Sequence, residues 1–177
     1  RGVKLSVNDF IIKASALALQ QVPDCNAVWA EDRVLRFKAS DVAVAVAIEG
    51  GLFTPVIRDA DTKTLSAIST EMKDLAARAR SRRLAPHEYQ GGSFAISNLR
   101  MMGIDSFDAV INPPHASILA VGAGVRRPVV GSNDAITAAT VMSLTLSVDH
   151  RVIDGALGAT FLEALKANLE NPVGMLA

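Results

Sequence analysis

Hydrophobic positions along this chain change their period several times, and each change marks an element. Ser6 to Gln21 reads as a helix: Ser6 or Asn8 can cap it, Ile11, Ala14, Ala18 and Val22 line one face, and Pro23 stops it. The period then switches to two. Val28-Trp29-Ala30 and Val34-Leu35-Arg36-Phe37, joined across Glu31-Asp32-Arg33, predict a hairpin, and alternating valine and alanine from Val42 to Ile48 predict a strand ending at Gly50-Gly51. Leu52 to Ile57 is a further extended run. From about Thr64 to Arg83 the period is helical again, with Leu65, Ile68, Met72, Leu75 and Ala79 on one side and Pro86 closing the element. Gly91-Gly92 leads into a strand from Ser93 to Asn98, and the turn Asn112-Pro113-Pro114 precedes another from Ser117 to Val121. Val129-Val130 and Ala135-Ile136-Thr137 flank Gly131-Ser132-Asn133-Asp134 as one more hairpin. The β-rich run Val141 to Val148 ends at Asp149-His150-Arg151-Val152-Ile153-Asp154-Gly155, after which Leu157, Phe161, Leu165 and Leu169 repeat every four residues as a final helix.

Helices at the start, middle and end, with six or more strands between them, argue for an α/β (α+β) fold: a mixed β-sheet with helices packed against it rather than alternating βαβ units. No repeat, low-complexity tract or inter-domain linker interrupts the 177 residues, half of which are hydrophobic, so one domain with its own core is expected. Eighteen basic and eighteen acidic residues cancel, which removes any charge-based reason to expect a nucleic-acid partner. The basic cluster from Arg78 to Arg83 reads as a solvated helix end. One cysteine, Cys25, excludes an internal disulfide and is expected to be inert. The apolar segments are too short or too interrupted to span a bilayer, and Arg1-Gly2-Val3-Lys4 does not open a signal peptide, so a soluble protein without a membrane partner is expected.

Candidate chemistry centres on His150, at a strand-to-helix junction where a side chain can be held rigidly. On position alone a lone histidine is more often structural than a base. Asp154 has a structural reading too, as an N-cap before Gly155, and Ser97 can be a plain strand hydroxyl beside a turn former, Asn98. A serine-hydrolase elbow is excluded at Ser97, because neither glycine of Gly-x-Ser-x-Gly is present in Ala95-Ile96-Ser97-Asn98-Leu99. Gly122-Ala123-Gly124 precedes no helix and is not a phosphate loop, and His87, His115 and His150 lack metal-ligand spacing, so no metal is expected.

The pattern that changes these odds is spread over most of the chain. Phe94-Ala95-Ile96-Ser97-Asn98-Leu99, Gly50-Gly51-Leu52-Phe53-Thr54-Pro55-Val56, Ile111-Asn112-Pro113-Pro114, Asn171-Pro172-Val173-Gly174-Met175-Leu176 and the His-x-x-x-Asp-Gly core of His150, Asp154 and Gly155 occur in this order. The chain thereby resembles the catalytic domain of the dihydrolipoyl acyltransferases, the cores of 2-oxo-acid dehydrogenase complexes, with a chloramphenicol acetyltransferase-like fold.

The resemblance implies His150 as general base, Ser97 as donor to the tetrahedral oxyanion, Asp154 as the acid holding the histidine loop, and Asn98 and Gly155 at the substrate or coenzyme A site. Coenzyme A or acetyl-CoA and a lipoyl group are the implied substrates, with the lipoyl attachment site outside this chain. A thiol with a pKa of about 8.5 gives its proton to an imidazole of about 6.5 only at a cost of roughly 3 kcal/mol, so proton removal should accompany attack on the thioester. The Ser97-Asn98-Leu99 string favours acetyl over succinyl transfer, and hence the pyruvate dehydrogenase complex. The alternatives are a non-catalytic scaffold subunit of the same core and a stand-alone acetyl-CoA-dependent acetyltransferase.

The resemblance further implies a homotrimer with each active site between subunits, assembly into a larger core, and contact with the pyruvate dehydrogenase and dihydrolipoamide dehydrogenase components through other domains. The expected compartment is the bacterial cytoplasm or the mitochondrial matrix. By the same resemblance, residues 1–177 are expected to correspond to the catalytic domain alone, with the N-terminal arm, lipoyl domain and peripheral-subunit-binding domain absent from this sequence. One departure stands out: Arg100 and Met102 occupy positions where the family reads Ser-Asn-Leu-Gly-Met-Phe-Gly, and a long cation in place of glycine is expected to disturb the turn beside Ser97.

Overall fold

The computed structural model describes residues 2–176; Arg1, with which the opening tetrapeptide begins, lies outside them. Helix α1 spans Val7–Gln21, and at its start the Ser6 backbone N–H donates to the Asp9 carboxylate at 2.7 Å. Its apolar residues do more than line one face. Ile11, Ile12, Ala14, Ala16, Ala18 and Leu19 are all fully buried, because α1 lies between α2 (Leu65–Arg80) and the last helix, α4 (Gly155–Glu170). Even Lys13 is buried there, and its ammonium donates to the carbonyls of Asp61 at 2.6 Å and Lys63 at 2.8 Å.

Three helices cover one face of a five-stranded sheet. In chain order its strands are β3 (Val42–Val44), β6 (Val56–Ile57), β7 (Phe94–Asn98), β8 (Ser117–Val130) and β9 (Ile136–Val148), arranged β6-β3-β7-β8-β9. β3, β7 and β8 run parallel, and the two edges, β6 and β9, are antiparallel to their neighbours. The sheet is therefore mixed, as the order of elements implies. Phe94 meets Phe161 of α4 with ring centroids 5.3 Å apart, in a core that also holds Ile68, Met72, Leu119, Val121 and Leu165. Two ribbons stand apart from this sheet: β1 (Ala27–Ala30) with β2 (Arg33–Arg36), and β4 (Val46–Ile48) with β5 (Gly51–Phe53).

Periodicity located these elements but not all their joints. The run from Val42 to Ile48 breaks at Ala45, whose N–H turns to the Ile96 carbonyl, so one alternating stretch serves two sheets. Leu52 to Ile57 breaks likewise at Thr54-Pro55, a proline having no N–H to donate to a ladder. The strand expected to stop at Val121 continues to Val130 past a register shift between Val121 and Gly124, so the hairpin expected at 129–137 is only the tip of a long β8–β9 arm. Helix α2 ends at Arg80 rather than Arg83, and Pro86 opens a short helix, α3 (Pro86–Tyr89), instead of closing α2. Arg78 is not simply solvated: it pairs with Asp74 at 2.8 Å and Glu88 at 2.7 Å, and its guanidinium pulls the Glu88 carboxyl down to about 2.

Candidate active site

The sheet has a covered inner face and an outer face of small side chains. Phe94, Ile96, Leu119 and Val121 point into the main core, whereas Ala43, Val56, Ala95 and Ile118 form a second, thin cluster on the other side, under Ala109 and Ile111. Because side chains alternate along a strand, Ser97 shares the outer face with Ala95. It is half-buried and lies level with Ala120 of β8 and, through it, Thr145 of β9.

Asn98, the next residue, is fixed from two sides: its amide donates to the Asn8 side chain at 3.0 Å and accepts from the Arg100 N–H at 3.1 Å. The latter bond starts a single 3-10 turn, Arg100–Met102, that ends at Gly103 with φ 74°. The left-handed residue is thus Gly103, not Arg100, and Arg100 fits this turn without backbone strain. Beyond it the chain crosses β8 so closely that a Cβ on Gly122 would stand 1.8 Å from the Asp105 carbonyl oxygen.

His150 sits beyond the opposite end of the same strands. β9 ends at Val148, which pairs with Ser117, the residue paired with Phe94 of β7. The Asp149 N–H then donates to the Ala116 carbonyl at 2.7 Å, and the Asp149 carbonyl accepts from Val152 and Ile153, both at 2.9 Å. Ile153 is fully buried and anchors the turn, and His150 projects from it, exposed. Asp154 caps α4, its carboxylate accepting from the Leu157 N–H at 2.8 Å; no ion pair engages it among the described residues. Nothing crowds Gly155, the first residue of α4, where a Cβ would meet open space.

A cleft of about 370 Å³ runs beside His150, lined by Trp29, Ile111, Pro113, Pro114, His115, Val148, Asp149 and Arg151. Three of these, Trp29, His115 and Arg151, have no catalytic role assigned by the sequence pattern. Arg151 binds the Asp149 carboxylate at 2.7 and 3.0 Å, holding that carboxyl below its usual range, and its guanidinium lies 5.2 Å over the Trp29 ring. His115 is 4 % exposed; its Nε2 lies 3.0 Å from the Gly91 carbonyl and so carries the proton, its Nδ1 has no partner, and burial pushes its pKa down. No pattern in the sequence distinguished it from a surface histidine. Cys25, buried, has its thiol pushed up to about 11 by desolvation and by the carboxylates of Asp24 and Asp154, which makes it a poor nucleophile.

Register sets the distance between the two ends. From the rung of Thr145, Ala120 and Ser97 to that of Val148, Ser117 and Phe94 is three residues, or ~10 Å, and β7 and β9 lie two strand spacings apart, another ~10 Å. Ser97 is therefore about 14 Å from Val148, with His150 two residues further on, and the two side chains of one chain do not reach a common carbonyl. Asp154 and His150 are brought to one end of the fold; Ser97 and Asn98 lie at the other. No cluster of three or more metal-binding side chains occurs among the described residues.

Comparison with known proteins covers the whole chain. The family model for 2-oxoacid dehydrogenases acyltransferase (catalytic domain) matches residues 1–177. The dihydrolipoyllysine-residue acetyltransferase component of the pyruvate dehydrogenase complex of Rhizobium meliloti (strain 1021) is 59% identical over 173 residues, which are 98% of this chain and 38% of that protein.

Among solved structures, the dihydrolipoamide acetyltransferase of Azotobacter vinelandii superposes with a TM-score of 0.93 at 35% identity, covering 99% of this chain and 73% of that one. In that enzyme a serine, a histidine 52 residues later and an asparagine four residues after the histidine were investigated for their role in the catalytic mechanism. The cubic core of the pyruvate dehydrogenase multienzyme complex matches equally, with a TM-score of 0.93 at 36% identity over 99% of this chain and 73% of that one. Chloramphenicol acetyltransferase shares the fold, with a TM-score of 0.64 at 16% identity over 93% of this chain and 78% of its own. The chain spans about two fifths of the length of the curated relatives it matches.

Proposed function

This chain belongs to the family of 2-oxoacid dehydrogenase acyltransferase catalytic domains, and we propose that it transfers an acetyl group between dihydrolipoamide and coenzyme A as part of a pyruvate dehydrogenase complex. His150 is the general base, withdrawing the thiol proton as sulfur attacks the thioester carbonyl. Ser97 donates a hydrogen bond from its hydroxyl to the oxyanion that forms, and the tetrahedral intermediate collapses by expelling the other sulfur as a thiolate, which takes the proton back from His150. Asp154 holds the end of the histidine turn through its cap on α4, standing where the Azotobacter enzyme has asparagine, four residues after the histidine. The 53-residue step from Ser97 to His150 here, against 52 there, supports the pairing of roles.

The observation that carries this reading is the separation of Ser97 and His150 along the strands. Two groups that must flank one carbonyl lie at opposite ends of a chain, His150 exposed and Ser97 half-buried, so the site needs the His150 end of one copy against the Ser97 end of another. A cyclic trimer supplies such a head-to-tail contact three times over, and its assembly into a larger hollow core, like the cubic one it resembles, follows as part of the proposal. The whole chain then acts as one catalytic domain. Coenzyme A and the lipoyl group are substrates, the latter carried on a separate domain, and the pyruvate dehydrogenase and dihydrolipoamide dehydrogenase components are reached through domains of that kind. Its compartment is the bacterial cytoplasm or the mitochondrial matrix, where such complexes work.

Subunit mixing tests this. Ser97→Ala and His150→Ala proteins, each severely impaired in acetyl-CoA-dependent acetylation of dihydrolipoamide, are dissociated, mixed in equal amounts and reassembled. Random mixing puts an intact serine opposite an intact histidine at one contact in four, so about a quarter of the original activity returns. No recovery, with assembly restored, would overturn the shared site. A wild-type protein that assembles but transfers nothing would favour the scaffold reading.

A further inference from the structure

His150 is exposed and yet, as a base, has to stand still, and the residues on either side of it are joined. The Asp149 carboxylate accepts from the Arg151 backbone N–H at 3.1 Å, from its Nε at 3.0 Å and from its Nη2 at 2.7 Å, so three bonds to one carboxylate close a clasp across the His150 backbone. By itself this clasp is weak, since Arg151 is 63 % exposed and a solvated ion pair is held loosely. Its third side is the Trp29 ring, 5.2 Å beneath the guanidinium carbon.

Trp29 is a firm wall for a reason of its own. It belongs to the β1–β2 ribbon, which pairs with no strand of the central sheet. The ribbon is fastened at its base by buried Asn26, whose amide donates to the Phe37 and Ala39 carbonyls at 3.0 and 2.9 Å and accepts from the Ser93 hydroxyl at 2.5 Å, one residue before β7. Asn26 thus fastens the ribbon by hydrogen bonds that do not involve the ring. The face of the ring is spent on Arg151.

We propose that Trp29 is a positioning residue for His150, acting through the Arg151 guanidinium and the Asp149 carboxylate; the proposal rests on His150 being the base. The ribbon outside the sheet is then part of the active-site scaffold. Tested in the assembled protein, Trp29→Leu lowers kcat about 5- to 30-fold while KM for the thiol and for the thioester substrate stays within about twofold, because the base is misplaced and no binding contact is lost. Trp29→Phe keeps a ring face and restores most of the rate. Adding Trp29→Leu to Arg151→Gln costs nothing beyond Arg151→Gln alone, the sign of one shared clasp. Amide hydrogen exchange over residues 149–153 quickens about tenfold in Trp29→Leu and not in Trp29→Phe.

Unchanged kcat with unchanged exchange overturns the proposal. So does a raised KM for one substrate at constant kcat, which would make Trp29 a substrate contact, or equal losses in the leucine and phenylalanine variants with a lower melting temperature, which would make it a folding residue. If the wild-type protein transfers no acetyl group, the functional reading fails, and the exchange experiment still decides whether the clasp exists.

Discussion

The two ends of the central strands hold their functional side chains in opposite ways. At the His150 end, everything needed for position comes from the same chain: a backbone bond to Ala116, a turn closed on the Asp149 carbonyl, buried Ile153, the Asp154 cap and the Arg151 clasp. At the other end Ser97 is fixed by its strand, but what flanks it is a single turn bearing Met101 and Met102, 86 % and 75 % exposed, and a crossing loop with Val110 in solvent. A base has to be aimed, so its chain aims it. On the proposed function the oxyanion site has to be enclosed, and the enclosure of Ser97 falls to another copy of the chain.

That contrast can be broken most sharply at its chemical centre. His150→Ala is expected to lower kcat by about 10²–10⁴ with an unchanged melting temperature, because the ring is exposed and supports no packing. A large fall in stability would mean that the ring is structural. Ser97→Ala is expected to cost about 10²–10³ in kcat with KM little changed, since the hydroxyl acts on the transition state. A Gly122→Ala substitution attacks the Ser97 end through its backbone instead. The new Cβ, 1.8 Å from the Asp105 carbonyl oxygen, has to push the crossing loop off β8, at about 3 kcal/mol measured by denaturant unfolding.

Smaller effects sharpen the other side. Asp154→Ala removes the α4 cap and is expected to cost about 1 kcal/mol of stability, with Asp154→Asn, which caps equally well, restoring it. The last is a pH dependence confined to the His150 end. Burial depresses the His115 pKa below its ordinary 6.5, so the unfolded chain binds the proton more readily than the folded one. The stability from keeping His115 neutral is complete above about pH 6.5 and is lost as the pH falls below it. The melting temperature of His115→Gln should therefore fall less than that of the wild type between pH 7 and pH 5, and identical slopes would show that His115 does not titrate there.

Much of the fold could be read from the order of residues. The three long helices, the ribbon of Trp29 and the strand carrying Ser97 fall close to their expected limits, because each run is of one period and is bounded by turn or capping residues. The failures share a cause. Ala45 divides a run whose alternation is unbroken, Thr54-Pro55 divides a run that reads as extended throughout, and β8 carries on through a register shift, so local pattern missed the first two joints and cut the third strand short. Of the candidate site, His150, Asp154 and Ser97 were legible because their types and spacing match a family. His115, Trp29 and Arg151 were not, since burial and a contact across 122 residues leave no trace in local pattern.

By itself the sequence determined most of the elements, the mixed fold and the residues proposed as base and hydroxyl donor, all of which depend on residue type and near neighbours. The tertiary structure alone decided that these two groups stand at opposite ends of the sheet, because the strands that carry them run antiparallel, and that a tryptophan from a separate ribbon braces the turn of one of them. The order and direction of strand pairing fix distances between residues far apart in the chain, whereas local pattern sets only which face of a strand is buried.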